Sequence, residues 1–199
     1  MKNIKYILAG FILMMAMGAN AQMVEYYSSV NYSMGIPMGS TADYISKPSF
    51  RGFSFEFGRF VNDDLSVGFL VSWQVFNESF DRQTYELENN LLLNGKRYNY
   101  INAFPLMAAG RYYLMPGGAV RPYVGAGIGA YIINKTTDFG LYRDQNKNWH
   151  FGLYPEVGLT AQMGTETFFN LGAKLNQAFK SGGDSHTWIT IQAGVTFMY

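Results

Sequence analysis

The 199-residue sequence has no cysteine, only two histidines and few charges. Without cysteine there are no disulfide staples, no thiolate metal centre and no thiol nucleophile. A metal site needs three or four ligands, and His150 and His186 stand apart in the chain with no cluster around them. No metal and no cofactor is therefore expected. Charged residues make up 15% of the chain, against roughly 25% in an ordinary soluble domain. The formal net charge is +1, without a basic stripe, which argues against nucleic acid as a partner. There is also no apolar run approaching the ~20 residues that a membrane helix needs.

The longest apolar run, Tyr6 to Met17, is short and follows Lys2 and Lys5. It ends in Gly18-Ala19-Asn20-Ala21, so it reads as a signal peptide over residues 1–21, cut before Gln22. Losing two lysines and no acids changes the formal charge to −1. Residues 22–199 suit a single domain.

That domain is rich in what an exported barrel uses: 22 Gly, 16 Phe and 15 Tyr across the chain. Eight alternating segments can be marked, roughly 24–36, 50–61, 65–77, 97–114, 121–135, 149–163, 168–180 and 187–199. Three connections are tight and carry Gly, Pro, Asn or Asp: residues 62–64, 115–120 and 164–167. Three others, 37–49, 78–96 and 136–148, are long and polar. Leu91-Leu92-Leu93 within the longest is expected to extend a strand. The remaining connection, 181–186, is intermediate and Gly-rich.

Period two sorts each segment into unlike faces. The third has Leu65, Val67, Phe69, Val71, Trp73 and Val75 against Ser66, Gly68, Leu70, Ser72, Gln74 and Phe76. The fifth has Val124, Ala126, Ile128 and Ala130 against Tyr123, Gly125, Gly127 and Gly129. Glu56, Glu156 and Lys174 fall on the small, polar face, and Arg111 is placed with them because it is charged. A base on a lipid-facing strand surface at mid-membrane costs about 2–4 kcal/mol. Arg59 breaks the parity at a strand end, where its head can snorkel to water. Aromatics at strand ends form two expected girdles: Tyr26, Phe57, Tyr112 and Tyr199 at one interface, Trp73, Tyr100 and Phe179 at the other. Pro105 and Pro155 are expected to sit at bulges, because proline removes a ladder donor.

The last thirteen residues alternate strictly and end on Phe197 and Tyr199, with no polar tail. This resembles the terminal strand of bacterial outer-membrane barrels, which their assembly machinery reads as a signal. Tyr199 departs from the usual terminal Phe. Arg121-Pro122-Tyr123-Val124-Gly125-Ala126-Gly127-Ile128-Gly129 and Phe104 to Tyr113 look like phrases of the small barrels related to the OmpA membrane domain and to OmpW. The resemblance implies an all-β, eight-stranded antiparallel up-and-down transmembrane barrel. It also implies a bacterial outer-membrane location with both termini periplasmic, among lipopolysaccharide and phospholipid. The long loops 37–49, 78–96 and 136–148 would then meet an extracellular partner.

Gly125-Ala126-Gly127-Ile128-Gly129-Ala130 formally fits a dinucleotide fingerprint, but Tyr131-Ile132-Ile133 continues a β pattern where a helix should open. In a small barrel, inward glycines instead leave room for large side chains across the lumen. Ser185 and His186, beside Asp184, invite a hydrolase, yet neighbours on a strand point to opposite faces. No enzyme is expected. The leading expectation is a structural or surface-interaction barrel whose lumen Glu56, Arg111, Glu156 and Lys174 fill by mutual neutralisation. The alternatives are a narrow channel or a path for small apolar molecules, then a lipid-modifying enzyme. A lipocalin-like soluble barrel fits less well, because its polarity would be inverted.

Overall fold

The computed structural model describes residues 25–87, 91–139, 143–181 and 183–199. The expected signal peptide lies outside them. Eight strands run in chain order: β1 Tyr26–Met38, β2 Arg51–Phe60, β3 Leu65–Leu87, β4 Leu91–Tyr113, β5 Val120–Asp138, β6 Arg143–Gln162, β7 Thr167–Ala178 and β8 His186–Met198. Each pairs antiparallel with its neighbours and β1 pairs with β8, closing an eight-stranded barrel. Tyr26 N donates to the Tyr199 carbonyl at 2.7 Å and Tyr199 N donates back at 2.9 Å, so the last residue helps to seal the seam.

Alternation decides which face is wet or greasy. Along β3, Val67, Phe69, Val71 and Trp73 are exposed while Ser66, Leu70, Gln74 and Phe76 are buried. β4 keeps the same parity: Ile101, Ala103, Met107, Ala109 and Arg111 point inward. Its inner face is apolar because it lines the apolar lumen cluster, with Leu70, Phe76 and Tyr131. Inward glycines make that filling possible. A Cβ at Gly158 would stand 2.5 Å from Tyr123 Oη and 2.6 Å from the Leu171 carbonyl, and the second could be relieved only by moving backbone.

Three features differ from the sequence-based expectations. First, residues 78–87, 91–96, 136–138 and 143–148 are strand, not loop: the β3–β4 hairpin pairs out to Leu87 and Leu91, and β5–β6 out to Asp138 and Arg143. Polar residues misled because an extension such as Arg143–Lys147, exposed throughout, has no buried face to encode. The Leu91–Leu93 run does lie in the strand extension. Second, the connection 37–49 turns inward and forms a short helix, α1, at Ser40–Tyr44. Third, neither Pro105 nor Pro155 sits at a bulge. The β3–β4 register is unchanged from Val71↔Leu106 to Gln74↔Ala103, and the β6–β7 register from Leu153↔Gln177 to Glu156↔Lys174. Each proline keeps its partner on β5, Tyr131 or Ala126, and interrupts pairing only on its other side. A missing donor removes one bond without adding a residue. The register shift is between Phe80 and Gln83.

Candidate functional site

Stacked layers fill the lumen. At the end bearing the short turns, Tyr27, Phe168 and Met198 pack with Phe60, and the Arg121 guanidinium covers the Phe168 ring at 4.7 Å.

Above them lies an ion cluster built by four strands. Arg111 on β4 reaches across to Glu56 on β2 and Glu156 on β6, with Nη2 at 2.6 Å from Glu56 Oε2 and 3.0 Å from Glu156 Oε1. Lys174 on β7 stands off, its Nζ 4.0 Å from Glu156 Oε2 and 4.9 Å from the centre of the Tyr154 ring. All four are at most 4% exposed. Alternation puts each inward, and register puts Glu156 directly opposite Lys174. Neutral donors complete the cluster: Tyr27 Oη to Glu56 at 2.8 Å, Tyr123 Oη to Glu156 at 2.9 Å and Gln192 Nε2 to Glu156 at 3.1 Å. Sequence reasoning named the four charges but missed Tyr27, Tyr123 and Gln192. Their inward parity was readable, whereas contact across the lumen was not.

Nearer the loop end the filling turns aromatic, with Tyr131, Phe76 and Trp188 in one cluster. Ile45, just past α1, is fully buried in it. The segment around Ile45 is tied to four walls. The Tyr44 hydroxyl lies 2.9 Å from the Thr136 carbonyl on β5, Asn99 Nδ2 on β4 donates to the Tyr44 carbonyl at 2.8 Å, and Ser46 N donates to Glu78 on β3 at 2.7 Å. Thr187 N on β8 donates to Thr41 Oγ1 at 2.9 Å. Partial burial raises the Tyr44 phenol above its ordinary pKa. Nothing in residues 37–49 signals this, because a polar loop reads alike folded in or out.

His150 and His186 come together in this mouth, beside Lys135 and Asp184. Lys135 Nζ holds the Asp184 carboxylate at 2.9 Å and keeps it below the usual carboxylate range. Ser185 bonds to Ser40 of α1 rather than to His186. Among the described residues, no group of three or more His, Asp or Glu could hold a metal ion.

The expected girdle residues Tyr26, Phe57, Trp73, Tyr112, Phe179 and Tyr199 are all exposed on the outer face, and Tyr100 is half-buried there. Trp73 stacks on Phe104 at 6.0 Å, and Phe151 on Phe179 at 6.1 Å. Gly127 of the dinucleotide-like phrase packs against the Tyr154 ring inside an unbroken strand. Beside Pro155 the outer wall carries an apolar notch of about 250 Å³ between Val157, Ala173, Leu175 and Ile189.

Residues 7–198 match the family model described as the outer membrane protein beta-barrel domain. No curated protein matches the sequence. Among solved structures, Ail of Yersinia pestis, in complex with the heparin analogue sucrose octasulfate, superposes with a TM-score of 0.55 at 13% identity. The match covers 89% of this chain and 100% of that one. Neisserial surface protein A gives 0.53 at 16% identity, covering 90% and 99%. The N-terminal barrel of Pseudomonas aeruginosa OprF gives 0.51 at 15%, covering 89% and 98%. At such identities the likeness is one of fold.

Proposed function

The chain belongs to the outer membrane protein β-barrel family, and on that premise we propose that it is a non-conducting outer-membrane barrel that acts through its loop-end surface. In this reading residues 1–21 are a removed signal peptide, and 22–199 form the barrel. The termini and short turns face the periplasm. The outer wall meets lipopolysaccharide and phospholipid, and Phe197 and Tyr199 serve the barrel assembly machinery. The observation that carries the closed lumen is Arg111, bonded at once to carboxylates from opposite walls. Eight strands leave an interior only wide enough for side chains, and here those side chains hold one another. Function then falls to what projects: the β3–β4 and β5–β6 hairpins, which outreach β2 and β7. An extracellular partner would meet these strand extensions, whereas Thr41 and Ile45 of the 39–49 connection are turned inward. No catalytic role is assigned.

Single-channel conductance of the refolded mature chain in a planar bilayer tests this. A silent bilayer, with folding checked by a heat-sensitive gel shift, is expected. Steady, reproducible steps would overturn the closed lumen. A second reading, passage of small apolar molecules through the wall, draws on the notch beside Pro155. Saturable uptake of an alkane into vesicles carrying the protein would put it first.

A further inference from the structure

The mouth contains a pair of histidines that the closed lumen does not require. Their ring centroids are 5.4 Å apart with planes nearly perpendicular, and they are 2% and 5% exposed. His150 Nδ1 lies 2.9 Å from the Phe179 carbonyl, so that nitrogen carries the proton it donates. Among the described residues His186 Nδ1 has no partner. The residues flanking His186 are the ones that hold α1. Thr187 N donates to Thr41 Oγ1 at 2.9 Å, and Ser40 Oγ donates to the Ser185 carbonyl at 2.5 Å.

The groups around His186 leave little room for another charge. From β6 comes His150, from β5 Lys135, and from its own connection Asp184, already engaged by Lys135. Lys180 acts on the Asp184 carboxylate. β7 opposes His186 with Ala178, and α1 meets this segment through Ser40 and Thr41; none of these ionises. A proton added to His186 would stand in a buried pocket beside Lys135, with the one carboxylate spoken for.

We propose that His186 is an acid-sensitive latch: proton uptake by its imidazole frees α1 and Ile45 from the mouth of the barrel. The ion cluster around Arg111 lies deeper, so release exposes the mouth and remodels the loop-end surface without opening a pore. His186 precedes the apolar band of β8. Burial first, then His150 and Lys135, push its pKa down to about 4, whereas an imidazole free in water titrates near ~6.5. The released form therefore binds the proton more readily. The latched form loses ground as pH falls from that free value to about 4, and no further below. Linkage sets the shift in the release equilibrium at up to about 300-fold over that window. Asp184, held ionised by Lys135, keeps its charge to lower pH and is not the trigger.

Trp188 reports on the latch, being 2% exposed in the same cluster as Ile45. In a W73F/W149F background it is the one remaining indole of three. Acrylamide quenching of the refolded protein in phospholipid vesicles is followed from neutral to acid pH, with gel mobility checked at each point. Quenching is expected to rise several-fold across the window and H186Q to stay level, while H150Q, which relieves the latched form of one repulsion, should shrink the rise and move its midpoint to lower pH. If H186Q loosens α1 at every pH, the H150Q shift decides. A second readout is an I45C thiol, in a chain otherwise free of cysteine, with a pyridyl disulfide that reacts in acid. Flat quenching in the parent, or an unshifted midpoint in H150Q with the barrel intact, would overturn the latch.

Discussion

Replacing Arg111 with methionine should destabilise the barrel by about 3–5 kcal/mol, the cost of stripping one member from a buried ion pair. The geometry says where that cost falls. Glu156 would keep Tyr123 at 2.9 Å, Gln192 at 3.1 Å and Lys174 at 4.0 Å, whereas Glu56 would keep only the Tyr27 hydroxyl at 2.8 Å. The loss is therefore mainly the stranding of Glu56. The cluster of two acids and two bases is neutral, and R111M leaves it one negative charge in a low-dielectric interior. Adding E56Q restores neutrality and keeps the Tyr27 bond, so R111M/E56Q should recover at least half of the loss, even though it departs further from the native set. Urea unfolding in lipid vesicles, followed by tryptophan fluorescence with a heat-sensitive gel shift as the check on folding, gives the three stabilities. An R111M within about 1 kcal/mol of wild type would place this pair with exposed ion pairs, which are worth little. A double variant no better than R111M would refute the stranded-carboxylate argument.

Other perturbations probe the wall. G158A puts a Cβ 2.5 Å from Tyr123 Oη and 2.6 Å from a backbone carbonyl, and should cost about 1–3 kcal/mol in the same urea assay; a neutral result would mean the Tyr123 layer is loosely packed. Phe179 N donates to Phe151 O, so alternation makes Pro155 and Leu175 a hydrogen-bonding pair that lacks its second donor. P155A should supply that donor to the Leu175 carbonyl, and protection of the new amide at position 155 in hydrogen exchange checks it. Rapid exchange there would mean the strands stay apart for another reason. Y199A removes the ring that stacks on Tyr26 at 6.5 Å but not the backbone bonds that seal β1 to β8. It should lower the yield in the outer membrane of expressing cells while refolding in vesicles stays near wild type; equal losses in both would assign Tyr199 to stability alone.

The alternation of Val67, Phe69, Val71 and Trp73 with Ser66, Leu70 and Gln74 made strands and faces legible before any coordinates, because a side-chain period of two is a local property of the backbone; closure into a barrel was what the family resemblance implied. The inward placement of Glu56, Glu156 and Lys174 followed from the same parity. The height of the β3–β4 and β5–β6 hairpins was not legible, since an extension such as Arg143–Lys147, exposed on both faces, has no alternation to encode. Nor was the lack of bulges at Pro105 and Pro155. A proline reports a missing donor, but whether the chain answers with an extra residue depends on the neighbouring strand.

By itself the sequence determined an exported all-β chain, its eight strands and their two unlike faces, since these depend on residue type and spacing along one segment. Only the tertiary structure decided that Arg111 would sit between two carboxylates with Lys174 apart, that Ile45 would turn down onto Trp188, and that His150 and His186 would meet. The Arg111 bonds alone join residues 55 and 45 positions apart in the chain. Such contacts depend on register, strand tilt and the space that inward glycines leave, quantities that exist only once the barrel closes.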